Sequence, residues 1–139
     1  VTDQRIPTLV QITSIGFQLA DAIGAIRGYM LSGDPNFRDA RKASWETIET
    51  NRETYRQLAR TFTDPRNRER WAELDALLTE IRAIQDQMEA DIPQGTRASD
   101  AQVKAFSETL APRARRATSA TFAFPAAATS PVTAAIFAV

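Results

Sequence analysis

Residues 26–37 read IRGYMLSGDPNF, and this stretch combines the end of one helix with the start of the next. Gly33 can take the left-handed backbone conformation that ends a helix. Asp34 supplies an N-capping carboxylate, and Pro35 occupies the first helical position, where its missing N–H costs nothing. The stretch therefore predicts a tight reversal between two helices that pack side by side.

Similar helix starts recur along the chain at near-even intervals marked by prolines. These prolines are Pro7, Pro35, Pro65 and Pro93. An aspartate also precedes Pro65, and Ser99 with Gln102 three residues later is typical of a capping box. The predicted helices cover residues 8–32, 35–62, 65–91 and 99–124. Because the loops between them are short, neighbours must run antiparallel, so the predicted fold is all-α, an up-down-up-down antiparallel four-helix bundle.

Apolar residues recur at three- and four-residue steps, as one face of a helix requires. In the first segment this stripe is Ile12, Ile15, Leu19, Ile23, Ile26 and Met30. The second segment has the weakest stripe, with Phe37, Ser44, Ile48, Tyr55 and Phe62. The third has two rows with a seven-residue repeat, Leu74, Ile81 and Met88 beside Trp71, Leu78, Gln85 and Ile92. Such rows predict the seam of a bundle. In the fourth segment Pro112 predicts a bend.

Composition excludes most catalytic chemistry. The chain of 139 residues is long enough for one domain, and it contains neither cysteine nor histidine. Thiolate nucleophiles, disulfides and histidine bases are therefore excluded, and no nucleophile–base pair or phosphate-binding loop is present. We expect no catalytic residue, no metal site and no cofactor. Seventeen basic residues balance seventeen acidic ones, which argues against nucleic acid as a partner.

The first helix is unusually poor in charge. Between residues 6 and 26 the only charged side chain is Asp21, which indicates burial on more than one side. We expect a homodimer seam along this helix, tightened by Gly16, Gly24 and Gly28. The alternative is a central helix within a monomer, with an uncharged polar surface.

Two further segments have a simple interpretation. Residues 117–139 carry no charge, but Pro125 and Pro131 interrupt them, so they do not predict a transmembrane span. We assign residues 1–124 to the bundle and residues 125–139 to an uncharged C-terminal segment without an assigned function. It is either a packing segment or foreign to the native fold. Carboxylates alternate with arginines at helical spacing around Arg52, which predicts ion-pair ladders on the surface.

The phrase from Arg27 to Phe37 also carries a resemblance. It resembles the R-G-Y-L-L-T-G-D-x-x-F phrase of bacterial extracytoplasmic four-helix sensor domains, those of the CHASE3 type and the related bundles of methyl-accepting chemotaxis receptors. Similarity continues more loosely over residues 9–92. Many CHASE3-type sequences have a glutamate about one turn before this phrase, where Ala22 and Ile23 stand here, so a polar partner for Arg27 is missing from its usual place.

The resemblance implies a signal-input domain in the periplasm, part of an inner-membrane chemotaxis receptor or related sensor whose membrane contact is made only by flanking segments. It also implies a ligand pocket between the helices in the membrane-distal half. The predicted ligand-binding residues there are Arg27, Tyr29, Arg38, Arg97 and Lys104. Because they are mostly cationic, a small organic acid or acidic amino acid is the expected ligand, and a helix shift the expected signal.

Two other functions remain open at this point. In the first, the domain is a ligand-free dimerisation and relay module, whose stimulus enters elsewhere in the receptor. In the second, it is a structural bundle that binds protein partners and no small molecule.

Overall fold

The computed structural model describes the backbone of residues 5–127 and the side chains of residues 11–121. In chain order the helices are α1 (Arg5–Ser32), α2 (Pro35–Ala59), α3 (Pro65–Asp91) and α4 (Asp100–Ala127). This part of the chain contains no strand, and the all-α four-helix fold is confirmed. Helix α2 ends three residues before its predicted end, because the chain tightens into a turn in which the amide of Phe62 donates to the carbonyl of Ala59 (3.1 Å).

The predicted caps are present. Asp34 and Asp64 each accept a hydrogen bond at 2.9 Å from the backbone amide two positions on. For Asp64 this bond, from Arg66, holds the pKa of the carboxyl below its usual range. Ser99 and Gln102 form a reciprocal capping box, with N–H to side-chain oxygen distances of 2.9 and 3.1 Å. Local sequence alone therefore accounts for the start of three helices.

The predicted stripes form the core. Those of α1 and α3 are buried throughout, apart from Ile23, which is partly buried against the same core. In α2 the middle of the stripe is buried, while Phe37 is partly exposed and Phe62 is half-buried. Helix α1 packs against all three other helices. Burial on several sides therefore explains why it carries few charged residues.

The helix interfaces differ in width. The backbones of α1 and α2 approach closely, and a Cβ on Gly28 would lie 2.4 Å from the ring of Phe37. The backbones of α2 and α3 stand further apart, and long side chains of α2 cross the space. They are Arg41, Trp45, Arg52 and Tyr55. This wide interface leaves a groove near the loops at one end.

Helix α4 passes through Pro112 as a single helix. The next residue, Arg113, is half-buried and pairs with Glu80 of α3 at 3.2 Å. The predicted boundary at residue 125 falls inside α4, and residues 128–139 of the uncharged segment lie outside the described residues. Among the residues described, no helix has the length and hydropathy needed to cross a membrane.

Candidate functional site

The α1–α2 reversal and the α3–α4 loop are bonded to each other at one end of the bundle. Gly33 has φ of +67°, and its carbonyl accepts a hydrogen bond from the amide of Gly95 at 2.9 Å. A Cβ on Gly33 would lie 2.4 Å from the carbonyl oxygen of Thr96. Glycine is required here for two reasons, the left-handed backbone and the close approach of the second loop.

Tyr29 completes this junction from inside the core. It is fully buried, and its hydroxyl donates to the carbonyl of Ile92 at 2.6 Å. One residue on, the carbonyl of Met30 accepts from the amide of Ala98 at 2.8 Å. The predicted role of Tyr29 as a ligand contact does not fit this geometry, because its side chain has no exposed surface and its hydroxyl is already bonded. Tyr29 instead clamps the α3–α4 loop to α1.

Beside this junction the wide α2–α3 interface opens into a cavity of about 450 Å³, here called the α2–α3 groove. Its lining residues are Pro35, Arg38, Asp39, Arg41, Lys42, Trp45, Arg82, Glu89 and Gln94. Four of these side chains are cationic and two are carboxylates, so the lining carries an excess of positive charge. A concave surface of this kind favours small anions.

Arg41 is the fixed cation of the groove. Its side chain is 8% exposed and donates to Asp86 at 2.7 Å and to Glu89 at 2.8 Å. Burial alone would lower the pKa of Arg41, but the hydrogen bonds to Glu89 and Asp86 outweigh it and raise the pKa. Fully buried Gln85 accepts from Arg41 at 3.3 Å and from the indole N–H of Trp45 at 2.8 Å. Arg41 therefore holds the two helices in register.

The other three cations are more accessible. The Arg38 guanidinium lies 5.8 Å from the ring centroid of Tyr29, and its Nε is 4.0 Å from a Glu89 oxygen. Arg82 lies 5.7 Å from the ring of Trp45 and forms an ion pair with Glu49 at 3.2 Å. Lys42 forms no ion pair with any described residue. Stacking on a ring orients a guanidinium while leaving its N–H donors at the edge available.

The other predicted site residues lie elsewhere. Arg27 lines a separate cavity of about 260 Å³ between α1 and α4, here called the α1–α4 cleft. The remaining lining residues are Ile23, Met30, Leu31, Met88, Val103, Phe106, Ser107, Leu110, Ala111 and Ala114. Arg97 and Lys104 are exposed and line neither cavity. The five predicted residues therefore do not form one pocket, and only Arg38 lies in the groove.

Buried arginines are the feature that the sequence interpretation missed. Arg52 forms the expected ladder contact with Glu49 at 3.1 Å, but it is buried rather than exposed, and its Nε donates to Asp75 at 2.6 Å. It also bonds Thr79 and the backbone carbonyl of Asp75. The signal was present, because the α2 residues at steps of four and three form one row facing α3. That row is Arg41, Trp45, Ile48, Arg52, Tyr55 and Ala59.

The three glycines of α1 that were expected to tighten a dimer seam have different surroundings. A Cβ on Gly16 would lie 3.2 Å from the hydroxyl of Thr121 on α4, and Gly28 faces Phe37 on α2. Only at Gly24 is the space open, with no atom within 4 Å of an added Cβ. Gly16 and Gly28 therefore serve packing within the chain.

No cluster of three potential metal ligands occurs among the described residues.

Comparison with known proteins identifies the class of this domain. No curated protein and no solved structure matches the chain. A family model described as the CHASE3 domain matches residues 2–121. CHASE3 domains are extracellular or periplasmic sensory domains and are not known as enzymes. Because the match spans nearly all of the described bundle, the chain belongs to the CHASE3 domain family and is a sensory domain.

Proposed function

We propose that the domain is the periplasmic input module of an inner-membrane receptor, a methyl-accepting chemotaxis receptor or a related sensor, and that it binds a small anionic metabolite in the α2–α3 groove. The observation that carries the proposal is the pair of accessible cations on the groove wall, Arg38 and Lys42. Among the described residues Lys42 has no ion pair and Arg38 has only the 4.0 Å contact with Glu89. Membership of a sensory family supports a role in signal input.

The accessible donors of the groove suit a ligand with two anionic groups. Arg38 and Lys42 stand one helical turn apart on α2, and Arg82 stands on α3. Arg41 is already paired with two carboxylates, so it orients the site. Arg82 is paired with Glu49 at 3.2 Å, so recognition falls mainly to Arg38 and Lys42, with Arg82 contributing its remaining N–H donors. A dicarboxylate or acidic amino acid would replace weak contacts, such as the 4.0 Å approach of Arg38 to Glu89, with bidentate hydrogen bonds.

A ligand in the groove would bridge α2 and α3, and the loop junction offers a route from there to the other helices. The α1–α2 reversal is hydrogen-bonded to the α3–α4 loop through Gly33 and Tyr29. A change in the separation of α2 and α3 would therefore move the ends of α1 and α4 together. In a membrane-anchored receptor such a helix shift is the signal.

We propose further that the receptor domain forms a homodimer through the outer face of α1. Phe17 is a large apolar side chain that is 63% exposed. Exposed Ala20 and open Gly24 follow it at steps of three and four residues, before Arg27 and Leu31, which line the α1–α4 cleft. This is the spacing of a two-stranded helical seam, and the small residues allow close approach of a second copy.

Calorimetric titration with succinate, malate, aspartate and glutamate tests the ligand. Arg38→Ala and Lys42→Ala should each weaken binding of the best ligand by about tenfold or more, because each removes a charge-assisted hydrogen bond. Arg70→Ala is the control, since Arg70 lies near the start of α3, at the opposite end of the bundle. Equal losses in all three variants, or no binding of any of the four acids, would contradict the groove as the site.

Sedimentation equilibrium tests the dimer. Phe17→Glu should give a monomer, whereas Glu46→Gln on the exposed side of α2 should leave the dimer intact. A persistent dimer that binds none of the acids would instead support the ligand-free relay module, which the exposed apolar face of α1 also fits. A monomer of the unaltered domain at all accessible concentrations would contradict the proposed seam.

A further inference from the structure

Arg27 begins the phrase from Arg27 to Phe37, and no structural role within the described fold is evident for its side chain. Its neighbours in the phrase have assigned contacts: Gly28 packs under Phe37, Tyr29 bonds Ile92, and Asp34 caps α2. Within the described part of the chain Arg27 makes no hydrogen bond and no ion pair, although its side chain is exposed beside a cavity. An exposed, unpaired guanidinium on the wall of a cavity is suited to an external anion.

The α1–α4 cleft that Arg27 lines differs in chemistry from the α2–α3 groove. Its walls are apolar side chains of three helices, among them Ile23 on α1, Met88 on α3 and Phe106 on α4. Arg27 is the one charged residue of this lining, and Ser107 contributes the one hydroxyl. Small side chains on α4, Ala111 and Ala114, leave the space open. The cleft thus pairs a single cation with an apolar enclosure.

We propose that the α1–α4 cleft is a second binding site, and that its ligand is a monocarboxylate with an apolar body, such as an aromatic or medium-chain acid. The carboxylate would bind the planar fork of Arg27, and the apolar body would displace water from the partly exposed side chains of Ile23, Val103 and Phe106. Methionine adapts its shape easily, so the buried Met30 and Met88 at the base of the cleft would adjust to bodies of different outline.

The size of the cavity limits the ligand. A volume of about 260 Å³ corresponds to roughly nine water-sized groups at ~30 Å³ each. Benzoate and octanoate are close to this limit, whereas acetate would leave most of the apolar wall in contact with water. A dicarboxylate would place its second charge among apolar side chains, which is costly. The cleft should therefore reject the acids that suit the groove.

This proposal goes beyond the sensing of a polar anion and does not depend on it. A ligand in the cleft would contact α1 and α4 directly, whereas a ligand in the groove contacts α2 and α3. Two classes of acid would thus act on two different helix pairs of one domain. No residue lines both cavities, so each site can be altered by substitution without changing the lining of the other.

Titration calorimetry of the intact domain with benzoate and octanoate tests the proposal. Benzyl alcohol, which lacks the charge, and acetate, which lacks the apolar body, are the matched probes, and each should bind at least about tenfold more weakly than benzoate. Arg27→Gln should weaken benzoate binding by a similar factor. Because Arg27 is exposed and makes no bond within the described fold, this variant should keep the melting temperature of the parent domain.

Arg38→Ala is the reciprocal control, and it should leave benzoate binding unchanged. Equal affinity of benzoate for Arg27→Gln and the parent, equal binding of benzyl alcohol and benzoate, or no binding of either acid would overturn the proposal. Succinate separates the two proposals: loss of succinate binding in Arg38→Ala alone and of benzoate binding in Arg27→Gln alone supports both. Absence of succinate binding with retained Arg27-dependent benzoate binding removes the groove and keeps the cleft.

Discussion

The α1–α2 interface and the α2–α3 interface share helix α2 but pack in different ways. In the first, the backbones approach closely, and Gly28 lies against the ring of Phe37. In the second, the backbones stand apart and large side chains fill the space, such as Tyr55, whose ring centroid lies 4.5 Å from that of Trp71. Buried arginines also cross this second interface, each bonded to carboxylates of α3.

The difference explains where a site can form in a four-helix bundle. A close interface between small and apolar residues excludes water and leaves no room for a ligand. An interface held open by arginine and tryptophan keeps polar groups near the surface, and at the loop end these groups line the α2–α3 groove. Buried ion pairs add little net stability, so their main effect here is to set the distance and register of α2 against α3.

The largest expected effect tests the apolar side of the comparison. Leu19→Ala removes a side chain of α1 that is 1% exposed, and it should lower the free energy of unfolding by about 3 kcal/mol. Phe17→Ala on the same helix should change the free energy of unfolding of the monomeric domain by less than about 0.5 kcal/mol, because Phe17 is largely exposed. Urea unfolding at low protein concentration measures both. Similar losses in the two variants would mean that α1 is not oriented as described.

The next effect tests the polar interface. Arg52→Ala should cost about 2 kcal/mol, because it removes a buried side chain that bonds both Asp75 and Glu49. The cost stays moderate because Asp75 keeps its ion pair with Arg56 and Glu49 keeps its ion pair with Arg82. Arg52→Met keeps most of the volume and should cost clearly less. If Arg52→Met were as destabilising as Arg52→Ala, the charge itself would be the main stabilising element, against the view that Arg52 mainly sets register.

A pair of glycine substitutions sharpens the contrast between a closed and an open face of α1. Gly28→Ala should destabilise the domain by about 1 kcal/mol, because the ring of Phe37 must move aside to admit a methyl group. Gly24→Ala meets no atom and should stabilise the monomer by about 0.5–1 kcal/mol through its higher helix propensity. Thermal unfolding distinguishes the two signs. If a second copy packs closely at Gly24, the same alanine should weaken the dimer in sedimentation.

The smallest effect concerns pH and the wide interface. Burial raises the pKa of the Tyr55 hydroxyl, so the folded domain keeps it neutral when the unfolded chain begins to ionise near pH 10. Stability is therefore fully present below that pH and falls as the pH rises through it, by less than about 1 kcal/mol at about pH 10.5. Urea midpoints from about pH 8 to 10.5 should decline less in Tyr55→Phe than in the parent. Parallel declines would show that Tyr55 is hydrated.

Much of the fold and little of the site could be predicted from sequence. The caps at Asp34, Asp64 and Ser99 were correctly predicted, because capping depends on residues within a few positions of each other. Residue type predicts an exposed Arg52, whereas its position in the α2 row indicates the burial that is observed. The hydrogen bond of Tyr29 to Ile92 could not be predicted from local sequence, because it joins residues that are distant along the chain.

The sequence by itself determined the number of helices, their starts, the apolar stripes of α1 and α3 and the sensory family, because these depend on local spacing and on one contiguous phrase. The tertiary structure decided the widths of the interfaces and hence the positions of the α2–α3 groove and the α1–α4 cleft. The physical reason is that a cavity is bounded by side chains from different helices. Whether Arg27 and Arg38 share a pocket depends on how those helices pack, and the packing places them in different cavities.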